Sequence, residues 1–509
     1  MIYYILFIIF VLGSPAPGFA YNPNQAMEDA DALLRTGQYL EAAGAYQDIL
    51  DRSPITEMKA KAALRMGDIY SHFLNDNEKA LEKYSIVIKK YESSMYAANA
   101  HFNSGMILYE KNRYKEALNE FKVYVKRYPQ DERRDAAEFM IEACQRPPPA
   151  VKESTPSFKK AKAENVRVLL ATGLQAIRLD STSMFEVRDG YGKNISEKVQ
   201  SAVLTVSGDK MRLDGKSISH DRLVIVSPEG QWLNLNGTPY RGDLRIAKSA
   251  RGDMDVINVL DVEAYLCGVV PKEMSPQWPL EALKAQAVAA RTYVLYQKEK
   301  GKDRDYDVIA TTASQVYGGA GAESAKSNQA VDETKGMVLL YNGQLALTYF
   351  HANSGGMTEE ARRVWSADVP YLKAVRDDYS VKAPGCLWKL SLNVDEIRAA
   401  LNRKGIDVGQ IERLMPLDIS PSGRVTKIKI FHGGMESVLT GNDFRLMTDP
   451  TQVKSTLFTM TNEGDEIHLE GRGSGHGVGM SQWGAYIMAR EGFSFGDILK
   501  HYYYGVEVR

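Results

Sequence analysis

A spacing of 37 to 38 residues governs the first third of the chain and stops at a run of three prolines. Ala42, Tyr46 and Pro54 recur as Ala117, Phe121 and Pro129, with Ala80 and Tyr84 between them and Glu92 where the proline would stand. Small alanines let paired helices approach, an aromatic ring fills the groove between them, and proline ends each unit. One such unit cannot bury its own apolar face, so the copies must stack into a curved scaffold. Residues 24–145 are therefore expected to be helical, with 131–145 as a closing helix; a generic helical bundle is the competing reading. Pro147, Pro148 and Pro149 then open a polar linker over 146–164, semi-rigid at its start.

With 509 residues the chain has room for roughly three domains. Its 63 basic and 64 acidic residues leave a net charge of -1, which gives no footprint for nucleic acid or an anionic membrane face. Residues 2–13 are apolar and uncharged, and Gly18, Phe19 and Ala20 form a small-x-small pattern. This reads as a signal peptide over 1–20 with cleavage after Ala20, or as an uncleaved anchor, since no Lys or Arg precedes the apolar run. The three cysteines, Cys144, Cys267 and Cys386, allow one bridge at most, or serve as small buried hydrophobes.

From 165 to 260 the pattern alternates. VRVLLA, AVLTVSG, KMRLDG, RLVIVSP, WLNLNG, LRIAKS and DVINVLD are short strands separated by turn residues, which predicts a β-rich part ahead of a region covering 261–509. That region centres on CGVVPKEMSPQWPLEALKAQAVAARTYVLYQ, residues 267–297. Pro279 suits a helix start near Leu280, and Leu283, Ala287, Ala290 and Val294 form a small-residue stripe for close packing. Glu273 lies just before, in a proline-bounded turn flanked by Val269, Val270, Met274 and Trp278. Partial desolvation there would raise its pKa toward that of a general acid. A capping or salt-bridging role is the bland alternative.

Two downstream stretches carry further candidates. Asn342-Gly343 predicts a type I′ hairpin running into FHANSGGMTE, which puts His351 and small polar groups at a strand end. In GRGSGHGVGMSQWGA, residues 471–485, glycines fall on alternate positions with His476 among them, followed by Gln482 and Trp483. Bare backbone there permits positive φ and close approach of a ligand. Phosphate cradling is excluded by the spacing and by the lack of a following Lys-Ser/Thr. Trp483 is suited to stacking on a sugar ring, and equally to a core.

Taken together, VVPKEMSPQWPLEALKAQAVAARTY, ASQVYGG, FHANSGGMTE, YLKAV, GRGSGHGVGMSQWGA and ILKHYYYGVEV resemble the SpoIID/LytB family of bacterial cell-wall proteins, over about residues 165–509. The N-terminal copies resemble tetratricopeptide repeats. The resemblance implies a multidomain chain: an α-helical repeat scaffold, then an α+β catalytic region with a β-rich subdomain. It also implies action on peptidoglycan, either as a lytic transglycosylase that cuts stem-peptide-free glycan strands or as a non-enzymatic enhancer of an amidase. The acid carries over to Glu273, and the groove would be shaped by Ser314, Gln315, Tyr317, His351, Ser354, Gly355, Gly356, Thr358, Gly475, His476, Gly477, Gln482 and Trp483. Some members bind zinc through Cys and His; here the matching stretches carry Ser314 and Ser354 with no nearby cysteine, so no metal and no cofactor is expected. Implied partners are glycan strands, an envelope or division protein at the repeats, and an amidase. The implied location is the periplasm or another extracytoplasmic part of the envelope.

Overall fold

The computed structural model describes residues 21–35, 38–72, 74, 76–111, 113–131, 133–145, 164–208, 210–365 and 368–509. The expected signal segment and nearly all of the linker lie outside the described residues. The chain divides into two compact units, Met1–Gln145 and Arg146–Arg509.

Among the described residues the first unit is built of seven helices: Pro23–Arg35, Tyr39–Arg52, Thr56–His72, Asn77–Lys90, Ala97–Glu110, Tyr114–Arg127 and Arg134–Gln145. The recurring residues explain the stacking. Ala42, Tyr46, Ala80, Tyr84, Ala117 and Phe121 are all fully buried. Each later ring sits on a glycine of the preceding helix: a Cβ on Gly67 would lie 2.3 Å from Tyr84, and one on Gly105 would lie 2.8 Å from Phe121. The Tyr84 hydroxyl, buried with its ring, donates to Asp68 at 2.7 Å, as a buried hydroxyl must find a partner.

The second unit begins with an 11-stranded sheet running from Asn165–Leu174 to Met254–Asp261, joined at one edge by Val308–Ile309. Its longest strand, Ala176–Asp189, is absent from the sequence expectation because Ser181, Thr182 and Ser183 interrupt the alternation. The interruption is structural. At a register break between Asp180 and Phe185 the strand changes partners, pairing first with Val199–Ser207 and Leu233–Leu235 and then with Arg222–Val226. Ile177, Leu179, Phe185 and Val187 still point into one apolar core.

The strand Met254–Asp261 runs directly into the helix Val262–Glu273, whose first turn Asp261 caps by accepting from the Glu263 amide at 2.9 Å. This helix packs on the central helix Leu280–Lys300, which is buried on nearly all sides from Ala282 to Leu295. A second compact core, absent from the sequence expectation, occupies Leu387 to Arg472. Two three-stranded sheets and the helices Val394–Arg403 and Gly441–Thr448 enclose Trp388, Ile397, Leu414, Ile428, Phe444 and Leu469. Its first and last strands pair antiparallel, with Leu387 opposite Arg472. The insertion therefore begins and ends at one place, and the chain before it lies beside the chain after it.

Where the two helices cross, the Arg291 guanidinium meets the Glu263 carboxylate through two hydrogen bonds, 2.9 and 2.6 Å, with both side chains buried. Arg291 also donates to the Met337 and Val331 carbonyls, and Glu263 accepts from the Gly336 amide. Arg291→Met strands an unpaired carboxylate and is expected to destabilise the protein by about 3–5 kcal/mol in chemical denaturation. Adding Glu263→Met should recover most of that loss; a double variant as unstable as the single one would assign the effect to packing volume.

Candidate functional site

Glu273 is the last residue of the helix Val262–Glu273, not part of an irregular turn as the prolines suggested. Pro271 sits in the final turn, where it removes one helix hydrogen bond to the Cys267 carbonyl, and burial of the whole Val262–Val270 stretch outweighs that loss. Pro279 stands one position ahead of the central helix as its cap.

The Glu273 carboxyl is held from two sides. Its Oε1 accepts from the Val316 amide at 2.8 Å, and its Oε2 lies 3.5 Å from Nε2 of Gln482. Burial pushes its pKa up to about 7, against the opposing pull of the Val316 and Gln482 bonds and the Lys272 charge.

The Val316 amide is in place because its neighbours are anchored in the core. Gln315 accepts from the Tyr265 hydroxyl at 3.1 Å and donates to the Ala290 carbonyl, while the Tyr317 hydroxyl donates to Asn258 at 3.0 Å. Their neighbours Ser314 and Val316 instead line a cleft of about 480 Å³. Gln315 and Tyr317, expected as groove residues, thus support the loop from beneath.

The opposite wall comes from pairing of the two remaining motifs. Phe350–His351 runs parallel to Met480–Ser481, and isolated bridges join Asn353 to Ser474 and Glu359 to Val478. Glycine is required by this contact: a Cβ on Gly479 would lie 2.0 Å from the Tyr349 carbonyl, and one on Gly475 would lie 2.9 Å from His351. A Cβ on Gly477 would meet Arg424 at 2.5 Å. His351 and His476 both line the cleft, with ring centroids 5.5 Å apart. His351 donates from Nδ1 to the Val478 carbonyl, and His476 accepts at Nδ1 from the Val478 amide. Burial holds both rings neutral, His476 at a pKa of about 3 and His351 well below its ordinary value.

Ser354, Gly355, Gly356 and Thr358 lie behind this wall and do not line the cleft. Ser354 donates to Asp377 at 2.7 Å, Gly355 donates to Asn353, Gly356 donates to Ser354 and Ser380, and Thr358 accepts from the Val375 amide. Gln482 lines the cleft, whereas Trp483 packs against Trp278 with centroids 4.6 Å apart. Tyr293, Tyr349 and Trp365 line it without having been marked in the sequence. Trp365 is 39% exposed on the short helix Ala361–Trp365 and stacks on Tyr349 at 4.5 Å and His476 at 4.8 Å. A tryptophan a few residues past FHANSGGMTE was the available signal.

Among the described residues lining the cleft, Glu273 is the single carboxyl, and no Lys or Arg joins it. Among the described residues no three His, Cys, Asp or Glu side chains converge to hold a metal, and all three cysteines are free and buried. The arrangement can deliver one proton and take one back, beside an aromatic surface on which a sugar face can rest.

The raised pKa makes a stability test possible without substrate. The unfolded carboxyl titrates near 4.5 and the folded one near 7. Below pH 4 both states are protonated; as pH rises through this window the unfolded state releases its proton first, so the wild type loses stability. Glu273→Gln never ionises. Its Tm is expected to match the wild type at pH 4 and to exceed it at pH 8; the same difference at both values would mean the carboxyl is not held protonated.

Comparison with known proteins places the chain by sequence. Residues 250–341 match the stage II sporulation protein (SpoIID) family, 386–479 match a domain of unknown function, and 73–132 match the tetratricopeptide repeat. The domain of unknown function coincides with the inserted core. An uncharacterized protein of Brachyspira hyodysenteriae is 36% identical over 319 residues, covering 62% of this chain and 85% of that protein. The stage II sporulation protein D of Bacillus amyloliquefaciens is 34% identical over 267 residues, 49% of this chain and 74% of that protein. The amidase enhancer of Bacillus subtilis is 34% identical over 285 residues, 47% of this chain but 39% of its own length. The chain belongs to the SpoIID family and carries tetratricopeptide-type repeats ahead of its SpoIID region.

Proposed function

We propose that this protein acts on the bacterial cell wall as a lytic transglycosylase, cutting peptidoglycan glycan strands to leave 1,6-anhydro-muramic ends. The observation that carries the reading is a single carboxyl, with a pKa of about 7, in a cleft otherwise lined by neutral polar and aromatic groups. Protonated Glu273 gives its proton to the glycosidic oxygen as the bond to the muramic C1 breaks. The carboxylate left behind then takes the proton of the muramic C6 hydroxyl, whose oxygen closes on C1. Nothing else enters or leaves, and the carboxyl ends as it began. A glycoside hydrolase ordinarily uses a second carboxylate for water or as nucleophile, and the cleft supplies none among its described residues. Tyr349 and Trp365 offer the sugar a stacking surface, and neutral His351, whose buried Nε2 has no partner among the described residues, can hydrogen-bond a hydroxyl without competing for the proton.

A second reading has its own support: the Bacillus subtilis relative bears the name amidase enhancer. On that reading the cleft binds glycan and a partner amidase cuts. On either reading the protein works outside the cytoplasm, with residues 24–145 recruiting an envelope or division protein.

Incubating stem-peptide-free glycan strands with wild type and Glu273→Gln separates the two. Wild type is expected to give anhydro-muramic products by mass spectrometry, and the variant to lose about 10²–10⁴-fold in rate. If neither cuts while both bind strands and stimulate an amidase equally, the enhancer reading replaces the first.

The pH profile adds an independent check. Since free enzyme must carry the proton, kcat/KM is expected to fall about tenfold per unit above pH 7. Gln482 donates to the ionised carboxyl and so favours it; Gln482→Leu should move that limb to higher pH. An unmoved limb would assign it to another group.

A further inference from the structure

One residue's backbone sets the proton positions of both cleft histidines. The Val478 carbonyl can only accept, so its bond of 3.0 Å to His351 Nδ1 places a proton on that nitrogen. The Val478 amide can only donate, so its bond of 3.1 Å leaves His476 Nδ1 bare. With both rings neutral the remaining nitrogens follow: Nε2 of His476 carries a proton, and Nε2 of His351 carries a lone pair. His476 has protein partners on its ring, the Val478 amide and the Phe350 backbone. His351 Nε2 is buried with no partner among the described residues, although its ring lines the cleft. Turning that ring over would give up the bond to Val478. The Thr348 hydroxyl, a donor on the same cleft, is already given to the Ala289 carbonyl at 2.7 Å.

A buried acceptor left without a donor is unfavourable, and a ligand that supplies the donor removes that penalty. We infer that His351 Nε2 is a dedicated acceptor for the ligand, taking an N–H or O–H from a sugar bound in the cleft. This rests on the reading of the cleft as a glycan site. Because the Val478 carbonyl fixes the tautomer, His351 cannot turn donor to suit a different ligand. A sugar that presents an acceptor or an apolar group at this point leaves the lone pair unmatched, so the position selects among sugars. Glycan strands carry two kinds of donor, the acetamido N–H and the hydroxyls. A neutral ring holds either one without removing its proton, and the proton exchange stays with Glu273. His351 is in this sense a positioning and specificity residue rather than a second acid or base.

The test follows the ring nitrogens of the full chain by NMR, with isotope-labelled histidine and with Glu273→Gln to slow cleavage. The His351 signals are those missing from a His351→Phe spectrum. In the free protein His351 is expected to show a protonated Nδ1 and a bare Nε2; a proton on Nε2 would overturn the inference before any ligand is added. Saturation with stem-peptide-free strands should move the Nε2 signal upfield, as for a lone pair that accepts a hydrogen bond, while Nδ1 keeps its proton. An Nε2 signal that stays put although tryptophan fluorescence shows the strands bound also overturns it. Two defined oligosaccharides separate the donors. If chitohexaose moves Nε2 and cellohexaose, which has a hydroxyl in place of each acetamido group, does not, the donor is the acetamido N–H; if both move it, the donor is a hydroxyl. Cleavage by wild type is read separately. A wild type that cuts nothing, with Nε2 moving on strand binding, rejects the cutter and keeps the acceptor, whereas strands that change neither Nε2 nor fluorescence reject both.

Discussion

The buried contact between Arg291 and Glu263 is what the second unit hangs on. Packing between the helices Val262–Glu273 and Leu280–Lys300 is made mostly by alanine, valine and leucine, and apolar contact of that kind has little directional preference. A desolvated guanidinium and carboxylate tolerate only a geometry in which every polar atom is matched. The pair also reaches the Val331 and Met337 carbonyls and the Gly336 amide, so one cluster fixes two helices and the loop that leads into the hairpin. Glu273 lies ten residues along the same helix from Glu263, and its position follows from where that helix is pinned.

The other half of the site depends on backbone meeting backbone. Sequence separates His351 from His476 by an entire folded insertion, yet the pairing of Leu387–Asn393 with Glu466–Arg472 returns the chain to its departure point. The glycine-rich segment then lies against the FHANSGG segment so closely that a Cβ at position 479 would meet a carbonyl. Positive φ at Gly473, Gly475, Gly477 and Gly479 keeps side chains out of the contact. These glycines build the wall; the cleft-facing groups on it are histidine and aromatic rings.

This division explains how far the sequence could be read. The repeat scaffold was legible because Ala, Tyr and Phe recur at fixed distance and each occupies one packing role. The Asn342-Gly343 turn was legible because both residues take positive φ there, a conformation few other residue pairs accept. Direction was not legible. Gln315 and Tyr317 carry groups that bind substrates in other settings, and only the structure shows those groups consumed by Ala290, Tyr265 and Asn258. The inserted core was hidden for a different reason: its strands alternate like those of any sheet, and nothing local to Leu387 or Arg472 says that they pair.

Burial at Glu273 ties these levels together. A carboxyl surrounded by Val316, Thr348 and aromatic groups would rise in pKa without limit of function, becoming an acid too weak to give its proton away. The Val316 amide, the Gln482 side chain and the Lys272 charge each favour the ionised form, and their sum brings the group back to about 7. A carboxyl raised to about 7 can exchange its proton near neutral pH, which suits the acid-then-base role proposed for it. Each restraint comes from a different part of the chain. Val316 is held by core hydrogen bonds of its neighbours, Gln482 by the helix that the glycine segment enters, and Lys272 by the helix pinned at Glu263. A reaction that uses one group first as acid and then as base needs this balance more than it needs a second carboxylate, because the proton that leaves Glu273 in the first step is replaced by the one from the sugar in the second.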